Sequence, residues 1–320
     1  MSSGEGHRVV PWPRRCERRT LPGGMSPPRS RYAPGAAPDY GHRFHAGNVG
    51  DVWKHCALIE VLLRVAATPG RVVYLESHAG EGGYPLGPTG EWSEGIGRLW
   101  SSGGDGPGLL ARYVALSRRL GGGDDRPVHY PGSPAFAGAL LGPDAQLELW
   151  ERDQQSFARL SARLTGDARA QPIHGDGLAA LEAALRAAAA TAPAVVALID
   201  PPYGEKADWQ RVPDALARAA RAAPRACLLL WYPVKSLTRP HAMVARLDSE
   251  GVAGTLAELI TTPLEHKRNR LNGSGVILVR PPEGAVEALA AAAPSIGRRC
   301  ATVDGAWSFR LRAFGAPPRG

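Results

Sequence analysis

Short apolar runs alternate with longer stretches of helical period along most of this chain. Val195 to Ile199 is unbroken and β-prone, of a length that suits a strand buried on both faces of a parallel sheet. Similar runs occur at Arg71-Val-Val-Tyr-Leu, Gln146-Leu-Glu-Leu-Trp, Pro172-Ile-His, Ala226–Tyr232, Thr255–Thr261 and Gly275–Val279. Between them the spacing predicts helices. The first covers Val52 to Ala67, with Asp51 as N-cap and Val52, Cys56, Ile59, Leu62 and Leu63 on its apolar face. Others are expected near Pro134–Leu141, over Gln154–Leu164, through an Ala-rich segment to Ala190, over Trp209–Ala222 and near Pro240–Glu250. Such alternation calls for a mostly parallel sheet with right-handed crossovers, covered by helices. The last two strands, close together across one loop, are expected to form an antiparallel pair at a sheet edge. Between Tyr84 and Arg126 the rhythm breaks into helical pieces within Glu94–Leu120, interrupted from Ser101 to Gly108. This predicts a helical insertion after the first strand, over about 84–127.

Composition changes the picture mainly at the amino end. Residues 1–38 are rich in Pro, Gly, Arg and Ser without a period of 2 or 3.6, which predicts a disordered extension, or an upstream start ahead of Met25. An α/β domain is expected over 39–283, with a C-terminal helix and tail over 284–320 packed on it. Seven arginines face three acids before Tyr40, so half of the net charge of +8 sits in that arm. The remainder is compatible with a polyanionic partner. No apolar run reaches the roughly 18–20 residues that span a bilayer, and no apolar segment follows the first arginines, so neither a membrane anchor nor a secretory signal is expected. Cys16, Cys56, Cys227 and Cys300 are scattered, which suits a reduced cytoplasm and argues against a Cys-rich zinc site.

Candidate chemistry gathers at strand ends. Val195–Ile199 runs into Asp200-Pro-Pro-Tyr. Pro201 and Pro202 end ladder pairing and fix the backbone where open α/β sheets keep their ligand crevice. The Asp200 carboxylate and Pro201 carbonyl offer two acceptors beside the flat ring of Tyr203, which suits a planar group bearing an exocyclic NH₂. Glu76, Glu151 and Asp176 end three other predicted strands. The acid after the second strand of a nucleotide-binding sheet is placed for ribose hydroxyls, which suits Glu151. Asp176 could accept from an adenine amino group, with Gly177 letting the base lie flat. Gly80, Gly82 and Gly83 form a turn after the first strand that admits close backbone approach. A metal held by His45, His55 and His78 is the rival; with no acidic cluster or paired histidines, the nucleoside reading leads and no metal is expected.

Together these features resemble a class I S-adenosylmethionine-dependent methyltransferase, in which Asp-Pro-Pro-Tyr marks exocyclic amino nitrogens as the target. A closer likeness is carried by Phe44-His-Ala-Gly-Asn, Lys54-His55, Ser77-His-Ala-Gly-Glu-Gly, Tyr130-Pro-Gly-Ser-Pro, Asp200-Pro-Pro-Tyr and Trp231-Tyr-Pro-Val. In this order, from Tyr40 to about Arg280, the chain resembles the RlmJ family, which methylates N6 of an adenine in 23S ribosomal RNA. The resemblance implies a Rossmann-like fold and S-adenosylmethionine as cofactor. It implies that Asp200 is catalytic, that His55, His78, Ser133, Glu151, Asp176 and Gly177 contact the cofactor, and that Tyr40 touches RNA. The arm at 1–39 is extra, Glu76 stands where Asp is usual, and Gly41 follows the tyrosine where Arg is usual.

The expected enzyme is therefore a cytoplasmic, monomeric adenine-N6 RNA methyltransferase, with 23S RNA, protein-free or in an early assembly intermediate, as partner. Asp200, Pro201 and Tyr203 are the expected catalytic group, and Gly80 joins the cofactor set. Tyr40, Arg43, Lys54 and the basic loop Lys267, Arg268 and Arg270 are expected on the RNA. The alternatives are a DNA adenine methyltransferase, for which no sequence-reading domain is visible, and a non-catalytic ribosome-assembly factor, which would have no need of Asp200 and Glu151.

Overall fold

A computed structural model describes residues 42–101, 108–266 and 271–315. Its elements in chain order are α1 (His42–His45), α2 (Val49–Ala66), β1 (Val72–Glu76), β2 (Gly83–Pro85), α3 (Ile96–Trp100), α4 (Leu109–Gly121), β3 (His129–Pro131), α5 (Ser133–Leu140), β4 (Gln146–Glu151) and α6 (Gln154–Leu164). They continue with β5 (Ala170–His174), α7 (Gly177–Thr191), β6 (Ala194–Ile199), α8 (Asp208–Ala222), β7 (Cys227–Val234), α9 (Thr238–Ser249), β8 (Gly254–Ile260), β9 (Gly273–Val279), α10 (Ala285–Cys300) and β10 (Ser308–Phe314).

Eight strands form one sheet in the order β10-β8-β9-β7-β6-β1-β4-β5. From β5 to β7 all neighbours are parallel. The pairs β7–β9, β8–β9 and β8–β10 are antiparallel. This is the expected α/β architecture, with the parallel half built by the strand–helix alternation. The order reverses between β1 and β6, which places a ligand crevice above the carboxyl ends of those two strands.

Side-chain alternation divides β1 between two layers. Val73 and Leu75 join a core with Leu181 and Leu185 of α7, Val212 and Leu216 of α8 and Met243 and Leu247 of α9. The intervening Tyr74 and Glu76 are fully buried and reach Ser133 of α5 at the other face. That second layer is centred on α2. Every residue from Gly50 to Leu62 is buried, Lys54, His55 and Glu60 included. Period alone marked one apolar stripe here, but packing encloses the whole helix. The N-cap is Asn48, whose side chain accepts from the Asp51 N–H at 3.0 Å, and not Asp51, because the helix begins three residues earlier than its apolar stripe.

Three differences from the sequence expectation concern edges. The insertion is closed by a two-stranded antiparallel ladder of β2 and β3, three residues each, too short to carry a periodic signal. The tail after α10 contains an eighth strand: β10 pairs with β8 over seven residues. Its alternating Phe309, Leu311 and Ala313 were present in the sequence as a period of two. With β10 in place, the pair β8–β9 lies inside the sheet and not at its edge.

A polar tie runs across this half of the sheet. Tyr232 of β7 donates to Glu258 of β8 at 2.8 Å, passing over Gly275 of the intervening β9. Arg310 of β10 donates to the same Glu258, which is 1% exposed. Gly275 is required by close approach, since a Cβ there would lie 2.1 Å from the Tyr232 ring. That ring is buried and held by its hydroxyl, so it has little room to yield. Gly275→Ala is expected to lower unfolding free energy by about 1–3 kcal/mol, the usual cost of overpacking. Urea unfolding checks this; an unchanged midpoint and slope would show that Tyr232 can move.

Candidate functional site

The crevice is assembled from the carboxyl ends of β5, β4, β1 and β6, which are consecutive in the sheet. After β6, Pro201 is buried, Pro202 is exposed and Tyr203 is half-buried. Tyr203 adopts φ 50°, in the left-handed region that a non-glycine residue occupies at a cost of about 1–3 kcal/mol. Its hydroxyl holds it there. The hydroxyl donates to the Trp231 carbonyl at 3.2 Å, and the ring packs 4.5 Å from the ring of Trp209.

Asp200 is 14% exposed by side chain, and its Oδ2 accepts from Lys54 Nζ at 2.5 Å. The same ammonium lies 2.8 Å from Asp51 Oδ1 and 5.7 Å from the centre of the Trp231 ring. Burial works against the charge on Lys54, but Asp200 and Asp51 outweigh it and raise its pKa above the ordinary lysine range. Asp51 is anchored in turn, accepting the Gly47 N–H at 2.9 Å. Sequence reasoning placed Lys54 on the RNA and gave Asp51 a capping role. The structure brings both to Asp200. The available signal was a Lys three residues after an Asp in a helix whose neighbours are almost all apolar.

Two acceptors at this point have no donor among the described residues: Asp200 Oδ1 and the Pro201 carbonyl oxygen. They are adjacent in the chain, beside the Tyr203 ring. A group with two N–H bonds on one atom matches them.

Beneath them, Glu76 is fully buried and accepts from Tyr74 Oη at 2.9 Å and from the Ser133 hydroxyl. Burial drives its pKa up to about 8, against the lowering effect of those two hydroxyls. Ser133, expected on the cofactor, is here 5% exposed and donates to Glu76. His55 is likewise 2% exposed, with Nδ1 at 2.7 Å from Tyr130 Oη and its ring 4.9 Å from Phe136.

The remaining expected residues line the other half of the crevice. Glu151, the last residue of β4, accepts the Gly80 N–H at 2.8 Å on one oxygen and the Asp153 N–H at 2.7 Å on the other. Each oxygen keeps a lone pair, so further hydroxyl donors can be accepted. Gly80 has φ 59°, and a Cβ there would lie 2.2 Å from Tyr84 Oη. His78 hydrogen-bonds Ser77 Oγ at 2.8 Å, and burial lowers its pKa, so the ring is neutral at pH 7. Asp176 caps α7 by accepting the Ala179 N–H at 3.0 Å, with Arg211 3.5 Å from its other oxygen. Gly177 packs against β1: a Cβ there would sit 2.4 Å from the Ser77 carbonyl oxygen. That contact alone accounts for glycine at this position.

His45 turns to Glu91 at 3.0 Å, His55 to Tyr130 and His78 to Ser77, so the three histidines do not converge. Among the described residues no group of three or more His, Cys, Asp or Glu side chains is arranged to hold a metal. Arg43 is half-exposed and pairs with Glu81 of the glycine turn at 3.1 Å, as Arg159 of α6 does at 2.7 Å. Tyr40, Lys267, Arg268 and Arg270 lie outside the described residues, as does the expected extension at 1–38.

Comparison with known proteins agrees with this geometry. The family model described as Ribosomal RNA large subunit methyltransferase D, RlmJ, matches residues 70–312. Ribosomal RNA large subunit methyltransferase J of Escherichia coli is 33% identical over 250 residues, covering 76% of this chain and 87% of that protein. Its counterpart in Haemophilus influenzae is 31% identical over 249 residues, with the same coverage. The crystal structure of protein LPL1258 from Legionella pneumophila is similar with a TM-score of 0.76 at 25% identity, covering 84% of this chain and 98% of that one. The chain belongs to the RlmJ family.

The pKa of Glu76 gives a test of the buried half of the site. A carboxyl whose folded pKa is raised adds stability below its unfolded pKa and loses it as pH rises through the folded value. Wild-type stability is therefore expected to fall between about pH 4.5 and 8 on account of Glu76. In Glu76→Gln that loss is absent, so the variant gains on wild type as pH rises. Urea unfolding at pH 5 and pH 8 measures the difference. A difference that does not change with pH would mean that Glu76 ionises without penalty.

Proposed function

We propose that the chain, as a member of this family, transfers a methyl group from S-adenosylmethionine to N6 of an adenine in 23S ribosomal RNA. The observation that carries the choice of atom is the pair of open acceptors at Asp200 Oδ1 and the Pro201 carbonyl, fixed by Lys54 on one side and by two prolines on the other.

The residues around the crevice fit the cofactor. Glu151 has a free lone pair on each oxygen for ribose hydroxyls, the Gly80 turn brings backbone close, and Asp176 and Gly177 border the next strand end. His78, Ser133 and His55 complete the proposed set, the last two from behind Glu76 and Tyr130. Bound S-adenosylmethionine supplies an electrophilic methyl group. The chain supplies orientation. An adenine must leave its stack to enter, at a cost of a few kcal/mol that is smallest for an unpaired base. Asp200 and the Pro201 carbonyl then accept the two N6 hydrogens, which localises the N6 lone pair and directs it out of the ring plane. As the new N–C bond would form and the methyl–sulfur bond break, its electron pair returning to sulfur to leave S-adenosylhomocysteine, N6 would gain positive charge, and the same two acceptors would stabilise it before its proton passes to water. Tyr203, locked by Trp231, offers a ring to the base. Lys54 holds the carboxylate in one rotamer.

On the substrate side, Tyr40, Arg43 and the loop of Lys267, Arg268 and Arg270 contact RNA in this reading. The enzyme acts as a monomer in the cytoplasm, on RNA that is protein-free or in an early assembly intermediate. No helix among the described residues is long and apolar enough to cross a membrane.

The test is incubation of the purified protein with labelled S-adenosylmethionine and a protein-free 23S transcript, with the product mapped by mass spectrometry. N6-methyladenosine at one position is the expected product. Asp200→Asn places an amide N–H₂ against N6–H₂ and is expected to slow methyl transfer at least about 100-fold, as loss of a transition-state hydrogen bond does. Calorimetry should show its affinity for S-adenosylmethionine nearly unchanged. A variant turning over like wild type would remove Asp200 from the chemistry.

A further inference from the structure

Beside Tyr203, two residues with no part in the chemistry form a second aromatic position. Trp209, in the first turn of α8, packs 4.5 Å from the Tyr203 ring at an interplanar angle of 42° and is half-buried. Arg239, in the first turn of α9, is exposed and lies over the Trp209 ring, 5.9 Å from its centre. Among the described residues Arg239 has no carboxylate partner. The exposed Lys206, three residues before Trp209, and Lys235, directly after β7, have none either. Of the two acids on the same segment, Asp208 accepts the Glu205 N–H at 3.0 Å, and Glu205 is exposed. Arg211 is turned away towards Asp176 at 3.5 Å. The result is a ladder of Tyr, Trp and Arg leading from the proposed adenine pocket to an exposed guanidinium.

We infer that Trp209 and Arg239 receive the nucleotide next to the target adenine, Trp209 stacking on its base and Arg239 pairing with its phosphate. The inference rests on the RNA methyltransferase reading above and adds the residues that hold the flank. An adenine extruded into the pocket leaves its neighbour without a stacking partner on that side, and an aromatic ring restores one. The guanidinium lies at cation–π distance from the indole, 5.9 Å from its centre, so Arg239 can shift to a phosphate while the base takes its place on the ring. The alternative role for Trp209 is to prop Tyr203 in its left-handed conformation, and the experiment separates the two.

The methylated adenine is first mapped in the protein-free 23S transcript. Short hairpins carrying it are then made with an abasic residue on either side. With wild-type enzyme, one of the two abasic hairpins is expected to show a KM about tenfold higher, the scale of one base–aromatic stack. Trp209→Ala should raise KM about tenfold on the intact hairpin and show no further loss on that abasic one. Arg239→Gln should raise KM and reduce the slope of log KM against log salt by about 1, as the loss of one phosphate contact does. In both variants kcat and S-adenosylmethionine affinity should stay within about twofold of wild type. Trp209→Phe, which keeps a ring against Tyr203, should recover most of the KM.

A fall in kcat at unchanged KM, or an abasic penalty that persists in Trp209→Ala, would overturn the inference and leave Trp209 as a prop. A wild-type enzyme that methylates no 23S RNA would overturn the reading beneath it as well. Active wild type with unaffected variants would overturn this inference alone.

Discussion

The ammonium of Lys54 is the point on which the site depends. A lone charge buried to this degree would cost several kcal/mol, and it is tolerable only with close, well-aligned counter-charges. Asp51 and Asp200 supply them at 2.8 and 2.5 Å. The pair with Asp200 spans 146 residues, so it fastens the second turn of α2 to the end of β6. This explains why α2 is buried all round: it has to run through the middle of one layer to bring Lys54 under the crevice. It also fixes which oxygen of Asp200 remains open. The prolines fix the backbone and Lys54 fixes the carboxylate, so two acceptors meet the incoming base with little reorganisation left to make.

The four acids at the carboxyl edge of the sheet show how environment sorts identical chemistry into different tasks. Glu76 is sealed beneath the site, satisfied by two hydroxyls, and burial pushes it up to about 8. It serves as a buried strut between β1 and α5. Asp200, one strand away, keeps an ammonium on one oxygen and an opening on the other. Glu151 is tied to backbone N–H groups on both oxygens, one of them in the glycine turn, so the binding edge is pre-shaped before any ligand arrives. Asp176 caps α7, and Gly177 behind it lets that helix start hard against Ser77. The sheet order β5-β4-β1-β6 sets these groups side by side.

Much of this was legible in the sequence because buried parallel strands announce themselves as short apolar runs, and each of four such runs ended in an acid. Asp-Pro-Pro-Tyr and its companion motifs carried the family. What was hidden has physical reasons. Lys54 reads as a surface cation until the tertiary structure buries it, since a one-dimensional pattern does not show that both faces of α2 are covered. Asp51 looks like a cap because it precedes the apolar stripe, whereas the cap belongs to the backbone, which turns helical at Val49. The three-residue strands β2 and β3 are too short for any period. Strand β10 was readable, with Phe309, Leu311 and Ala313 alternating against Arg310 and Arg312, but its pairing with β8 is set by distant Glu258. Ser133 and His55, assigned to the cofactor by resemblance, face inward here to Glu76 and Tyr130.

The central claim is that Asp200 Oδ1 and the Pro201 carbonyl receive the exocyclic amine of an adenine. A crystal structure of the protein with S-adenosylhomocysteine and adenosine monophosphate tests it directly. The account predicts N6 within hydrogen-bonding distance of both acceptors, with Lys54 still on Oδ2 and the base against Tyr203. An adenine seated with a ring nitrogen or its ribose at Asp200, and N6 turned to solvent, would contradict it.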